Sequence, residues 1–373
     1  LQTLSERDDV SLKNQLIERY DMSRNIKLRE EIFNFFREQE LNGLEEQALE
    51  ILRYFYEYDN SLIRAAIRYT ATIETLNERT EILDLLFDLI EEDEIAYSSY
   101  AVETVGELGE AQDAERLLEI FEDSDDISES LKEHILLALG KIASDVAVDA
   151  LIEILEDDLN SDIERNYAAD ALGKIGDPKA IPVLEEILGS DNNMLRAYAI
   201  SALLQFPNYD SSQILRSALR DSFWRTREIA IDGIIQAHRT ETVPALRYMA
   251  RHDPEGKIRS KAIEALALLN TSEGWEFINE AMEDDDTPEN TRLEMIQLAI
   301  EHNPEGSADI LEGIIESEWE EEDSRLLDTI AKGMSTANNA AFKPFFRRFL
   351  EHPNFIIQIY GVRGIALNNI IQY

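Results

Sequence analysis

The five residues ALGKI occur at 138–142 and again at 171–175, thirty-three residues further on. Each copy leads through a short turn into a comparable segment, VAVDALIEILEDD at 146–158 and AIPVLEEILGSD at 180–191. A period of that size is the mark of a chain assembled from stacked supersecondary units, and it restricts the fold more than any total does. Placed in register, the copies share an anchor: a basic residue, small residues three and six later, and an aliphatic residue at seven. Arg165, Ala168, Ala171 and Leu172 define it, and it returns at Arg196, Ala199, Ala202, Leu203, at Arg227, Ala230, Gly233, Ile234, and at Arg259, Ala262, Ala265, Leu266. Weaker copies begin at Arg64, Ser98, Lys132, Arg292, Arg325 and Gln358, so that successive anchors lie 31 to 34 residues apart.

Spacings of three and four place the small residues on one helix face, where a neighbouring helix can come close. Ahead of each such helix lies a second amphipathic one, for example Ile181, Val183, Leu184, Ile187 and Leu188, with Pro182 in its first turn, where proline costs least. Each repeat is therefore expected to be a helical hairpin, and roughly eleven fit in 373 residues. No alternating run long enough to propose a sheet occurs. The predicted fold is all-α, a right-handed α-solenoid spanning 1–373, with an N-terminal capping repeat at 1–40, the most regular repeats at 130–270 and a C-terminal hairpin at 336–373.

The tetratricopeptide and ankyrin signatures are missing. The stretch DALGKIGDPKAIPVLEEIL (170–188) followed by NMLRAYAISAL (193–203) closely resembles the HEAT-like repeats that include the phycobilisome-lyase type. The resemblance is specific over 130–270 and weaker in the flanks. It implies that the second helix of each hairpin lines a concave face, and that an acidic residue in the turn meets the basic anchor of a neighbouring repeat. Asp191, Asp221 and Asp253 match that acidic position, which makes Arg165, Arg196, Arg227 and Arg259 a structural ladder.

Charge narrows the function. The 77 acidic and 35 basic residues give a net charge of -42, which repels phosphate and anionic membrane faces wherever it is evenly spread. Nucleic acid is thus an unfavoured partner, and no apolar run is long enough for a membrane span. Excess acid with few lysines also fits adaptation to salt, against which the abundant isoleucine argues. Zero cysteines exclude disulfides and thiolate chemistry. Because the first residue is Leu1, the start reads as processed or truncated, and either a bacterial extracytoplasmic (periplasmic) or a cytoplasmic location is open.

Catalytic signatures are absent: no HExxH, GxSxG, Walker loop or GxGxxG occurs. HEAT-like deoxyhypusine hydroxylases carry His-Glu metal-ligand pairs, and this chain has no His-Glu dipeptide. RHDPEG (251–256) and EHNPEG (301–306) stand fifty residues apart, off the repeat period, and read as turns. Acidic clusters at 122–126, 156–162, 283–290 and 318–323 invite a calcium reading. Asp158, Asn160 and Asp162 start an EF-hand spacing, but Ile163 replaces the required Gly and Ala169 the bidentate Glu. Carboxylates capping helix N-termini along one acidic rim are the expectation instead.

Residues 216–261 depart from the acidic trend, with ten basic and six acidic residues. Phe223, Trp224, Arg225 and Arg227 faintly resemble the groove of HEAT-like alkylpurine DNA glycosylases. An anion site, a zone docking an acidic partner and an ordinary Arg ladder with Trp224 in a turn all remain open there. On the second helices, positions two and five past the anchor point away from the core. They supply Tyr100, His134, Tyr167 and Tyr198 in one row, and Glu103, Asp170, Asp232 and Glu264 in the other. Tyrosine beside carboxylate suits a protein partner with a basic or polar contact segment. The expectation is a non-enzymatic scaffold without cofactor or metal, and a chromophore lyase or DNA glycosylase is the alternative. The C-terminal FIIQIYGVRGIALNNIIQY (355–373) is apolar round more of its circumference than one buried stripe requires, which predicts a homodimer or partner contact there unless Phe342, Phe345, Phe346 and Phe349 cover it.

Overall fold

A computed structural model describes residues 6–73, 76–122, 127–321 and 323–368. Among the described residues the regular structure is entirely helical, arranged as eleven helical hairpins in two compact units, 1–209 and 210–373.

The first unit holds α1 (Glu6–Met22), α2 (Ile26–Glu38), α3 (Glu45–Arg53), α4 (Asn60–Thr70), α5 (Leu76–Glu91), α6 (Ser98–Leu108), α7 (Ala111–Glu122), α8 (Glu129–Ile142), α9 (Val148–Glu156), α10 (Asp162–Ile175), α11 (Ile181–Ile187) and α12 (Asn193–Leu203). Odd and even helices pair as hairpins, and the even helices pack in series from α2 to α12. The repeated ALGKI explains how. A Cβ on Gly106 would sit 3.0 Å from the Ala138 Cα, one on Gly140 3.0 Å from the Ala171 Cα, and one on Gly173 2.6 Å from the Ala202 Cα. The glycine of ALGKI is thus where the next even helix lays its backbone, and its alanine is what the preceding glycine receives. Both sides of the seam need small residues, which fixes the spacing of the repeat.

The second unit holds α13 (Ser212–Ala218), α14 (Trp224–Gln236), α15 (Val243–His252), α16 (Gly256–Leu269), α17 (Ser272–Glu283), α18 (Glu289–His302), α19 (Ala308–Ser317), α20 (Arg325–Thr336), α21 (Lys343–Phe349) and α22 (Phe355–Leu367). It repeats the plan, with α14, α16, α18, α20 and α22 in series and α15, α17 and α19 beside them. Pro182, Pro244 and Pro344 all stand in the first turns of odd helices, where the missing N–H costs nothing.

The anchor arginines complete the hairpins. Arg165 Nε donates to the Leu155 carbonyl at 3.0 Å, and Arg292 Nε to that of Met282 at 2.8 Å, both at the end of an odd helix. Arg196, Arg227 and Arg259 donate to the carbonyls of Ser190, Asp221 and Asp253 in the following turn. A guanidinium satisfies several carbonyls that the helix end leaves without an amide. Arg227 goes further: it is 6% exposed and grips Asp253 of the next hairpin through two bonds of 2.8 and 2.7 Å. Arg165 takes Asp158 of its own turn at 2.6 Å, and Asp191 is exposed.

The acidic turns differ from the expected caps. Ser128, Ser161, Asn192, Ser324 and Asn354 cap α8, α10, α12, α20 and α22, Ser161 in a capping box with Glu164, and among the even helices a carboxylate, Asp59, caps α4. Short hydroxyl and amide side chains at the boundary reach the first free amides, whereas the carboxylates of the acidic clusters lie further back. Asp157 and Asp284 instead accept from amides two residues on within their turns, and Asp158 and Asp285 neutralise Arg165 and Arg292. Residues 123–126 and 322 of the acidic clusters lie outside the described residues.

Candidate partner-binding face

The even helices of the first unit bring the tyrosine row together. Tyr100, His134, Tyr167 and Tyr198 are all half-buried. Arg64 and Arg68 of α4 stand over the Tyr100 ring, at 6.0 and 4.5 Å from its centroid, so the ring bridges α4 and α6. Tyr167 and Tyr198 meet edge to face with centroids 6.4 Å apart, joining α10 to α12. His134 turns back to the Ser130 carbonyl of its own helix at 2.6 Å. Each aromatic therefore buries one edge in the stack and keeps the other in solvent.

The carboxylates of the neighbouring row already hold cations. Lys141 lies 3.6 Å from Glu103 and 3.5 Å from Glu107, and Lys174 2.7 Å from Asp170. Lys141 and Lys174 are the lysines of the two ALGKI copies, so the motif's fourth residue balances the acid row. Sequence reasoning singled out the acids and passed over these lysines, although their place nine residues past each anchor was visible. In the second unit Lys261 meets Asp232 at 2.7 Å. Burial alone would lower the Lys261 pKa, but the hydrogen bond and charge of Asp232 hold it above its ordinary value. Glu264 is exposed.

Within the second unit, a groove of about 1160 Å³ runs beside α13 and α15, lined among others by Arg216, Arg220, Tyr248 and His252. Its charges nearly cancel: Arg216, Arg220 and Arg227 face Asp221, Glu241 and Asp253, with Arg227 committed to Asp253. That commitment removes Arg227 from the glycosylase-like set, and Trp224 lies under Lys257 and beside Phe223. RHDPEG forms the turn from α15 into α16, and EHNPEG the end of α18 with the turn leading to α19, two unrelated places in the repeat. Among the described residues no group of three His, Asp or Glu side chains is placed to hold a metal ion, and no helix is long and apolar enough to cross a membrane.

The family model for the spirochaete HEAT repeat protein matches residues 1–373. The chain belongs to this family. No characterised protein is a significant match in sequence. Among solved folds, the HEAT array is similar to yeast importin-β (Kap95p), solved with RanGDP, with a TM-score of 0.57 and 12% identity over 96% of this chain and 55% of that one. The array thus spans about half of the importin. A phycocyanin lyase complex of CpcE and CpcF from Nostoc aligns at TM-score 0.36 and 21% identity over 69% and 94% of the two chains. Human deoxyhypusine hydroxylase aligns at 0.34 and 16% over 79% and 97%. At these identities the likeness is one of fold.

Proposed function

We infer that this HEAT array is a non-enzymatic scaffold, and that it binds a protein partner with a basic or polar segment along the even-helix face of its first unit. The reading rests on one observation: half-exposed tyrosines at the repeat spacing, flanked by a row of carboxylates held only by surface lysines. Tyrosine gives large contact area at low entropic cost, and exposed ion pairs of this kind contribute little, so a partner's arginine or lysine can replace Lys141 or Lys174 without loss. The charge of -42 selects such partners at long range. Kap95p, whose fold is similar, was solved with a protein partner, which makes the architecture suitable for the task.

The test is site-specific photo-crosslinking from position 198 in native extract, with exposed Tyr248 of α15 as the control position. A discrete crosslinked protein at 198 and none at 248, abolished when His134, Tyr167 and Asp170 are replaced by alanine with helicity unchanged, is the expected result. A triple variant that keeps the partner overturns the assignment of this face, and one that unfolds makes the residues packing groups.

A further inference from the structure

In α10 the fourth and eighth residues past the anchor are Ala169 and Gly173, both buried, with Gly173 against α12. The same two places are buried in α8, as Leu136 and Gly140, in α16, as Ile263 and Ala267, and in α18, as Ile296 and Ile300. Ile300 reaches Gly333 of α20, the next even helix. In α8, α10 and α18 the eighth position thus lies on the side where the even helix receives its successor. Counted from Gln358 in α22, the fourth and eighth positions are Val362 and Ala366, and both are exposed. With Phe355 and Ile359 they make a stripe at i, i+4, i+7 and i+11, with Phe355 67%, Val362 58% and Ile359 43% exposed. The opposite side of α22 is occupied: Ile357, Gly361 and Gly364 are buried, and Phe342, Phe345, Phe346 and Phe349 lie in the core. The phenylalanines thus cover one side of the helix and leave the stripe open.

We propose that this stripe joins two copies of the chain as an antiparallel, two-fold symmetric helix pair. The stripe is complementary to itself. A two-fold axis midway between Ile359 and Val362 sets Phe355 of each copy over Ala366 of the other, and Ile359 over Val362, so the largest side chain meets the smallest. The same register sets Arg363 opposite Gln358 and keeps the two copies of Arg363 apart. The end is also poorer in acid than the chain as a whole: residues 343–368 carry Lys343, Arg347, Arg348 and Arg363 against Glu351 alone, and Asp328 of α20 is taken up by Tyr360, so two chains of net charge -42 meet here with fewer facing carboxylates than their average surface would bring. One helix of 13 residues, about 20 Å long, buries less than the roughly 800 Å² per partner of a standard interface, so the dimer is expected to be weak.

Sedimentation of the whole chain from about 1 to about 200 µM tests this, in the range a small apolar interface supports. The expected result is a monomer at the low end and a dimer at the high end, with association strengthened by salt, since salt screens repulsion between acidic chains and leaves apolar contact intact. Val362→Glu should remain monomeric throughout with an unchanged circular dichroism spectrum. Ala366→Phe alone should also block the dimer, while Phe355→Ala with Ala366→Phe should restore it by exchanging large and small across the axis. A wild-type monomer at the top concentration overturns the proposal and assigns the stripe to the chain's own residues 369–373 or to another protein. So does a dimer that Val362→Glu leaves intact.

Discussion

Eight residues past the anchor, α10 carries Gly173, pressed against α12, whereas α22 carries Ala366, facing outward. Both helices close a hairpin of the same plan, and both bury one face against the odd helix beside them. They differ in how the even-helix seam is made. In the centre, glycine meets alanine and backbones come within van der Waals contact. At the C-terminal end the close approach lies on the other side, where a Cβ on Gly364 would collide with the Phe346 ring. A repeat array needs no special cap sequence to end. It needs one face that stops receiving a successor, and here that face has stayed apolar.

The largest expected effect falls on the end. Phe346→Ala removes a fully buried ring from between α21 and α22 and should cost about 3–5 kcal/mol. Because each hairpin is supported mainly by its neighbours, the loss should appear as early exchange of α21 and α22 amides, with the first unit unaffected. Uniform loss of protection along the chain would remove the distinction between end and centre.

Next comes the centre. Ala199→Leu forces three carbons into a fully buried site on α12 and should destabilise by about 1–3 kcal/mol in urea titration. An unchanged midpoint would show that the small-residue face is not a packed seam. Ser161→Ala deletes the side-chain half of the α10 capping box and should cost about 1 kcal/mol. Asn354→Ala at the start of α22 should cost as much locally and less in the global midpoint. The smallest effect is Val362→Glu, within about 0.5 kcal/mol in dilute solution, since the side chain is already in water.

The period, the hairpins and the buried small residues were legible because they follow from helical geometry acting on one repeated segment. The role of the ALGKI glycine was only half legible: its smallness showed, but which backbone it admits depends on the neighbouring repeat. The Arg anchors were read as partners of turn aspartates. Arg165, Arg227 and Arg292 do hold Asp158, Asp253 and Asp285, and the structure adds bonds to carbonyls, a use that leaves no mark in sequence because every residue carries one. Ser161 and Glu164 did carry a visible capping-box spacing, and the acidic run just before them drew attention away. The tyrosine and acid rows came from helical phase alone; Lys174 sits four residues past Asp170 on the same helix and was equally legible, whereas the Lys141–Glu103 pair required knowing how far α6 lies from α8. The last five residues, including Ile370 and Ile371, lie outside the described residues, as do the side chains of Glu6, Arg7, Asp8 and Asp9.

The most direct test of the account is one paired measurement: Gly173→Leu and Ala366→Leu, melted side by side at low micromolar concentration. These are the same position of the repeat, given the same side chain. Leucine at 173 collides with α12 and should lower stability by at least about 1–3 kcal/mol, while leucine at 366 points outward and should leave the melt unchanged. Equal destabilisation of both variants, or of neither, would contradict the claim that α22 presents an open copy of the seam that α10 closes.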